Sequence, residues 1–154
     1  MPDETPQRED LGEVTQVDIQ RFALACEDRN PLYFDPDYAA GSAYGGIIAP
    51  PTLLTSIVQF GAGRPLGDLR HDGLPRGHTP GAPGKYPRRM AGGQELEFHR
   101  PVRPGDHVYR ERRVTSADER QGARGPLMFV VTEERYYNQA DELLVVCRNT
   151  AIYR

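Results

Sequence analysis

Pro51 to Phe60 constrains this chain more than any other stretch. Leu53, Leu54, Ile57, Val58 and Phe60 leave it almost no polar face. The spacing predicts a helix, and a helix that is apolar nearly all round has to be covered on most sides. Pro51 suits the first helical position, where its missing N–H costs nothing, and Gly61 suits the position just past the end. The rest of the chain must therefore supply a wrapping surface.

That surface lies downstream. Gln94 to His99 reads as a strand with Leu96 and Phe98 on one face. His107 to Thr115 reads as a second, with Val108 and Val114 on one face but arginines between them. Leu127 to Tyr137, Asn138 to Glu142 and Leu143 to Tyr153 read as strand, hairpin loop and strand. Consecutive strands with short turns predict an antiparallel meander, and such a sheet needs cover on one face. The fold class expected is α+β, a single domain over 14–154 with an antiparallel sheet wrapped around the central apolar helix.

Upstream, Thr15 and Asp18 have the spacing of a capping box, and Ile19, Phe22, Ala23 and Cys26 repeat at helical intervals. Val17 to Glu27 is thus an amphipathic helix, ended by Asn30-Pro31 because a residue before proline avoids the helical region. Asp37 to Ser42 suits a short helix behind Pro36. Met1 to Glu13, with five acids and one arginine, reads as a flexible acidic tail. Gly61 to Met90 holds seven glycines, five prolines, five arginines and a lysine against two acids. A loop this long in a compact domain is usually functional or disordered.

The bulk properties exclude several roles. A net charge of −3 over 154 residues argues against nucleic-acid binding driven by basicity. No run approaches the roughly 18 apolar residues of a membrane span, and the first residues lack the apolar region of a secretory signal. The expectation is a cytoplasmic protein. Cys26 and Cys147 sit within apolar patterns and read as buried free thiols. The four histidines, His71, His78, His99 and His107, have no carboxylate or cysteine at ligand spacing, so no metal is expected.

The functional candidates lie between the two upstream helices. Asp28-Arg29-Asn30-Pro31-Leu32-Tyr33, then Ile48-Ala49, and later Arg100-Pro101-Val102-Arg103-Pro104-Gly105-Asp106 together resemble the MaoC-like hydratases and dehydratases. The likeness is to the N-terminal-type MaoC dehydratase domain, a hot-dog fold, and runs from about Val17 to Arg154. The family signature reads Gly-Asp-x-Asn-Pro-Leu/Ile-His, and the resemblance implies reversible hydration of an enoyl thioester. In such proteins the Asp and His activate water, and a backbone N–H at the start of the central helix polarises the thioester carbonyl.

This chain departs from that pattern at both of the places that serve the reaction. Tyr33 stands where the histidine belongs, and a free phenol titrates near 10 against about 6.5 for imidazole. Pro51 stands where a glycine would offer its N–H, and proline has none. Asp28 and Asn30 remain as catalytic-site candidates of a vestigial kind; for Asp28 the turn-former reading has equal standing, and for Asn30, before Pro31, the turn is the favoured reading. Tyr33, Tyr44, Gly45 and Gly46 are candidates for substrate contact. The bland alternatives are a packed tyrosine and a plain loop. Arg88 and Arg89 are the loop cations best placed to meet coenzyme A phosphates, against the alternative of a solvated basic loop.

The resemblance implies no cofactor beyond coenzyme A as part of the substrate. It implies an acyl-CoA or acyl-carrier thioester as ligand. The reading that follows is a non-catalytic subunit of a heteromeric enoyl-CoA hydratase, whose sister MaoC-like subunit supplies the Asp–His pair. A homo-oligomer is possible in isolation. The rivals are a self-sufficient homo-oligomeric hydratase using Asp28 with a base such as His71 or His78, and a thioester-binding or assembly module without hydratase function. No nucleic acid or membrane partner is expected.

Overall fold

The computed structural model describes residues 7–57, 65–69, 71, 86 and 88–154. Five strands, β1 (Gln7–Glu13), β2 (Arg89–Phe98), β3 (His107–Gly122), β4 (Gly125–Tyr137) and β5 (Leu143–Tyr153), form one sheet. Every pairing is antiparallel, in the order β1-β3-β4-β5-β2. The α-helices among the described residues are α1 (Gln16–Ala25), α2 (Pro36–Ala40) and α3 (Leu53–Ser56). This is the α+β, hot-dog class of fold.

Helix α1 follows its sequence signals closely. The Thr15 hydroxyl accepts from the Asp18 N–H at 3.1 Å, and the Asp18 carboxylate accepts from the Thr15 N–H at 2.9 Å, completing the capping box. Ile19 and Ala23 are fully buried. At the other end Glu27 adopts φ +56°, and the N–H groups of Glu27 and Asp28 reach Leu24 O and Ala23 O. This is a Schellman closure, here made without the usual glycine. It ends the helix and leads the chain into the turn that Asp28 opens.

Four expectations need correction. The acidic tail is not a tail over Gln7–Glu13, which forms β1 on the edge of β3; Met1–Pro6 lie outside the described residues. Its polarity hid it, because an edge strand can be held by cross-strand charge. Arg110 pairs with Glu9, His107 Nε2 lies 2.7 Å from Asp10, and Arg8 bonds Asp141 at 2.6 Å while lying 4.5 Å over the Tyr109 ring. Leu11, at the bulge, supplies the strand's fully buried side chain.

The central helix is the second correction. Thr52 is its N-cap, so Pro51 precedes the cap instead of opening the helix. The helical residues end at Ser56, and Ile57 is extended at φ −100°, ψ 128°. Val58 to Phe60 and Gly61 lie outside the described residues. Thr55 and Ser56 follow the leucines; their hydroxyls compete for backbone partners and weaken a helix interior. Leu53 and Leu54 nonetheless sit at 0% and 1% exposure in the core.

Topology is the third. β3, β4 and β5 do form a meander, but β2 crosses over to pair with β5 and does not join β3. The Pro104-Gly105-Asp106 turn therefore links opposite sides of the sheet. Strands β2 and β3 are also longer than expected, β2 starting at Arg89 within the presumed loop. Cys26 is the fourth correction: it is exposed at the end of α1, while Cys147 is buried as expected. The remainder of the long loop is described only at 65–69, 71, 86 and 88, with Leu66–Asp68 in a 3₁₀ turn.

The core lies where α1, the 3₁₀ turn at Pro31–Tyr33 and α3 meet the concave sheet face. Leu11, Val14, Ile19, Tyr33, Leu53, Val108, Tyr136, Val145 and Cys147 pack together there. A smaller cluster of Tyr86, Val130, Ala151 and Tyr153 sits toward the other end of the strands.

Strand β4 carries two adjacent buried carboxylates. Glu133 accepts from Arg113 at 2.6 Å, from Arg135 at 3.0 Å and from Arg148 at 3.0 Å. Burial alone would raise its pKa, but the hydrogen bonds from Arg135 and Arg113 outweigh that and hold the carboxyl below its ordinary range. A carboxyl depressed in the folded state stabilises above its unfolded pKa of about 4.3, and that stability is lost as pH falls through the folded value. Glu133→Gln is expected to cost about 1–3 kcal/mol at pH 7. Urea melts at pH 7 and pH 3 should show the gap closing at the lower pH; an equal gap at both would rule out the charge as its cause.

Candidate active site

The segment Asp28–Tyr33 is a run of side-chain-to-backbone turns. Asp28 Oδ1 accepts from Asn30 N at 3.1 Å, and Asn30 Oδ1 accepts from Leu32 N at 3.1 Å. Both polar side chains therefore shape the backbone, as turn residues do. Their turns deliver Tyr33 into the core at 5% exposure. The Tyr33 ring is tilted against Phe34, with centroids 6.5 Å apart.

Burial raises the pKa of the Tyr33 phenol, and the nearby Asp28 carboxylate raises it further, with Tyr44 adding a smaller push. The group is thus a proton donor at neutral pH and is unsuited to act as a base. Asp28, Asn30, Tyr33 and Tyr44 are brought together by this geometry.

Tyr44, Gly45 and Gly46 form the next loop. Gly45 takes φ +66°, a left-handed conformation that favours glycine. Tyr44 N is held by Ser42 Oγ at 3.1 Å and Gly45 N by Ser42 O at 3.1 Å. The chain then returns to the turn, with Ile48 N donating to Leu32 O at 3.3 Å, and enters α3 after Ala49 N bonds Val102 O at 2.8 Å.

At the start of α3 the donors are few. Pro51 has no N–H, and Leu53 N is already committed to Pro50 O at 3.0 Å. A helix of four residues also has little dipole to offer an oxyanion.

Arg88 and Arg89 lie elsewhere. Arg88 exchanges backbone hydrogen bonds with Arg154, and Arg89 stands opposite Tyr153. Val145, which packs in the core with Tyr33, is eight residues back along β5, roughly 26 Å at about 3.3 Å per residue. The two arginines thus stand at the far end of β5 from the core cluster that holds Tyr33. His99 Nε2 lies 3.1 Å from Glu97 Oε1 beyond the end of β2, and His71 is exposed; His78 and the other loop cations Arg64, Arg70, Arg76 and Lys85 lie outside the described residues. No group of metal-ligating residues occurs among the described residues. Among them, too, no helix is long and apolar enough to cross a membrane.

Sequence reasoning missed Arg103 and Asp106. Asp106 is buried, and its Oδ2 accepts from Arg103 N at 2.7 Å. The Arg103 guanidinium reaches the Tyr44 carbonyl oxygen. The Arg-Pro-Val-x-Pro-Gly-Asp turn was legible as a motif, but nothing in its letters shows that it reaches across to the glycine loop.

Residues 6–147 match the family model described as FAS1-like, dehydratase domain region. A UPF0336 protein of Thermobifida fusca is 36% identical over 96 residues, covering 62% of this chain and 56% of that protein. A probable enoyl-CoA hydratase alpha subunit of Thermomonospora curvata is 27% identical over 132 residues, covering 84% and 41%. The chain thus spans little more than half, or less, of these relatives' lengths. Among solved structures, the ChsH1-ChsH2 complex from Mycobacterium tuberculosis matches with TM-score 0.73 at 22% identity, covering 97% of this chain and 86% of that one. The MaoC-like dehydratase from Rhodospirillum rubrum matches with TM-score 0.65 at 21% identity, covering 98% and 92%.

Burial also raises the pKa of Asp106, ahead of the opposing bond from Arg103 N. A folded state that holds the proton more tightly loses stability as pH rises past the unfolded value of about 3.9. Asp106→Asn keeps an acceptor for Arg103 N and removes that ionisation. Denaturant melts should show the variant gaining on wild type between pH 4 and pH 7; a variant that loses ground over that interval would contradict the sign.

Proposed function

Because the chain belongs to the FAS1-like dehydratase domain region family, we propose that it is the non-catalytic subunit of a heteromeric enoyl-CoA hydratase. It binds part of an acyl-CoA or acyl-carrier thioester in the cytoplasm, while a MaoC-like sister subunit supplies the Asp–His pair. The observation that carries this reading is Tyr33. A buried phenol, protonated and beside Asp28, occupies the position of the family's base. Pro51 adds a second, independent loss, because the residue just before the cap of the helix has no N–H to donate. On this reading two parts of one reaction are missing. Support for a partner comes from the ChsH1-ChsH2 complex among the structural relatives and from the relative named as an alpha subunit. The edge strand β2 supports it too, since its outward side has no neighbour among the described strands.

The test is made on the complex purified from its native host. Asp28→Ala is expected to change crotonyl-CoA hydration less than twofold, whereas a general acid or base contributes about 100- to 10,000-fold. A loss of that larger size at Asp28 would overturn the reading. In the isolated chain, Tyr33→His with Pro51→Gly is expected to gain activity that neither single change gives. Strong hydration by the wild-type chain alone would favour a self-sufficient enzyme instead.

A further inference from the structure

The Arg103 side chain crosses from the turn before β3 to a loop 59 residues earlier in sequence. Its origin is firmly held. Asp106 Oδ2 accepts Arg103 N at 2.7 Å, Val14 N donates to Asp106 O at 2.8 Å, and Gly105 N donates to Val14 O at 2.8 Å. Its far end donates from Nη2 to Tyr44 O. Nη1 lies 3.5 Å from where a Cβ on Gly46 would stand, so the guanidinium lies across that glycine.

Two further facts give this contact weight. Arg103 has no carboxylate within ion-pair distance among the described residues, unlike Arg8, Arg110, Arg112, Arg113, Arg135 and Arg148. Ordering a long arginine costs side-chain entropy, and here the hydrogen bond gained goes to one carbonyl. The other hydrogen bonds of the Tyr44–Gly46 backbone among the described residues go to Ser42, a neighbour within the same loop.

We propose that Arg103 is a positioning residue: it clamps the Tyr44–Gly46 loop beside Tyr33 and so sets the opening through which a ligand reaches that site. The identity of the ligand as an acyl thioester rests on the function proposed above; the clamp does not. Arginine suits the task because one planar group can donate to a carbonyl with one edge and cover a glycine with its face.

Three variants test it: Arg103→Met, Arg103→Lys and Gly46→Val. Hydrogen exchange is read at the amides of Gly45, Gly46 and Ile47 and across β3–β5, together with the thermal midpoint. Arg103→Met is expected to speed exchange at those three amides about 10-fold, with β3–β5 and the midpoint unchanged. Arg103→Lys should restore most of the protection, since it keeps a donor for Tyr44 O. Gly46→Val should mimic Arg103→Met, because its methyl groups need the space of the guanidinium. Unchanged exchange in the loop, or faster exchange spread over the whole sheet with a lowered midpoint, overturns the clamp. A separate titration of the native complex with crotonyl-CoA is expected to show about 10-fold weaker binding for Arg103→Met at an unchanged midpoint. Equal binding by Arg103→Met and wild type overturns the clamp's role in ligand access. A wild-type complex that does not bind crotonyl-CoA overturns the thioester reading and leaves the exchange data to decide the clamp.

Discussion

Two neighbouring carboxylates on the central strand govern the arrangement of this sheet. Glu133 and Glu134 are both buried, and because successive strand residues face opposite ways they are buried on opposite faces. An uncompensated charge in such a place is expensive. The antiparallel register answers it pair by pair. Arg113 stands opposite Glu133 and Arg112 opposite Glu134, while Arg148 approaches Glu133 from the other side. Arg110 and the Tyr136 hydroxyl complete the neighbourhood of Glu134. A one-residue slip of β3 against β4 would place each arginine on the wrong face. The charges thus specify register, whatever their net contribution to stability.

The same requirement explains β1. Arg110 needs a second acceptor, and Glu9 on the edge strand provides it. A segment that is polar and acidic in composition therefore becomes part of the sheet, held by its charges as well as its ladder. The arginines between Val108 and Val114, which blurred the expected core face of β3, belong to the same system.

How much of this was legible in the sequence follows from which interactions are local. Helix α1, with its capping box and its apolar repeat, depends on residues within one turn of each other, and it was readable almost to the residue. The β4–β5 hairpin was readable because its turn chemistry and its apolar strands are contiguous. The pairing of β2 with β5, the burial of Glu133 and Glu134, and the inclusion of β1 depend on partners far apart in sequence, and no periodicity carries that information. The shortness of α3 is a different matter: its apolar pattern is genuine, but Thr52, Thr55 and Ser56 weaken the helix it predicts. At the site, Asp28, Asn30 and Tyr33 were found through a motif, whereas Arg103 was invisible because its contact spans two loops.

Asp28 and Asn30 have a structural role beside Tyr33 that does not require catalysis. Each side chain caps a backbone N–H two residues on, and together these bonds form the turn that places residue 33 in the core. Replacing either would loosen the turn whether or not water is ever activated there. The side chain at position 33 has no such backbone duty, so a phenol can stand where an imidazole would without disturbing the turn. Pro51 is equally compatible with folding, since it precedes the N-cap of α3 and no helical bond needs its N–H. Residues that serve the turn and residues free of it are thus separable: neither the Tyr33 side chain nor Pro51 carries any of the turn's backbone hydrogen bonds, although Tyr33 does fill the core.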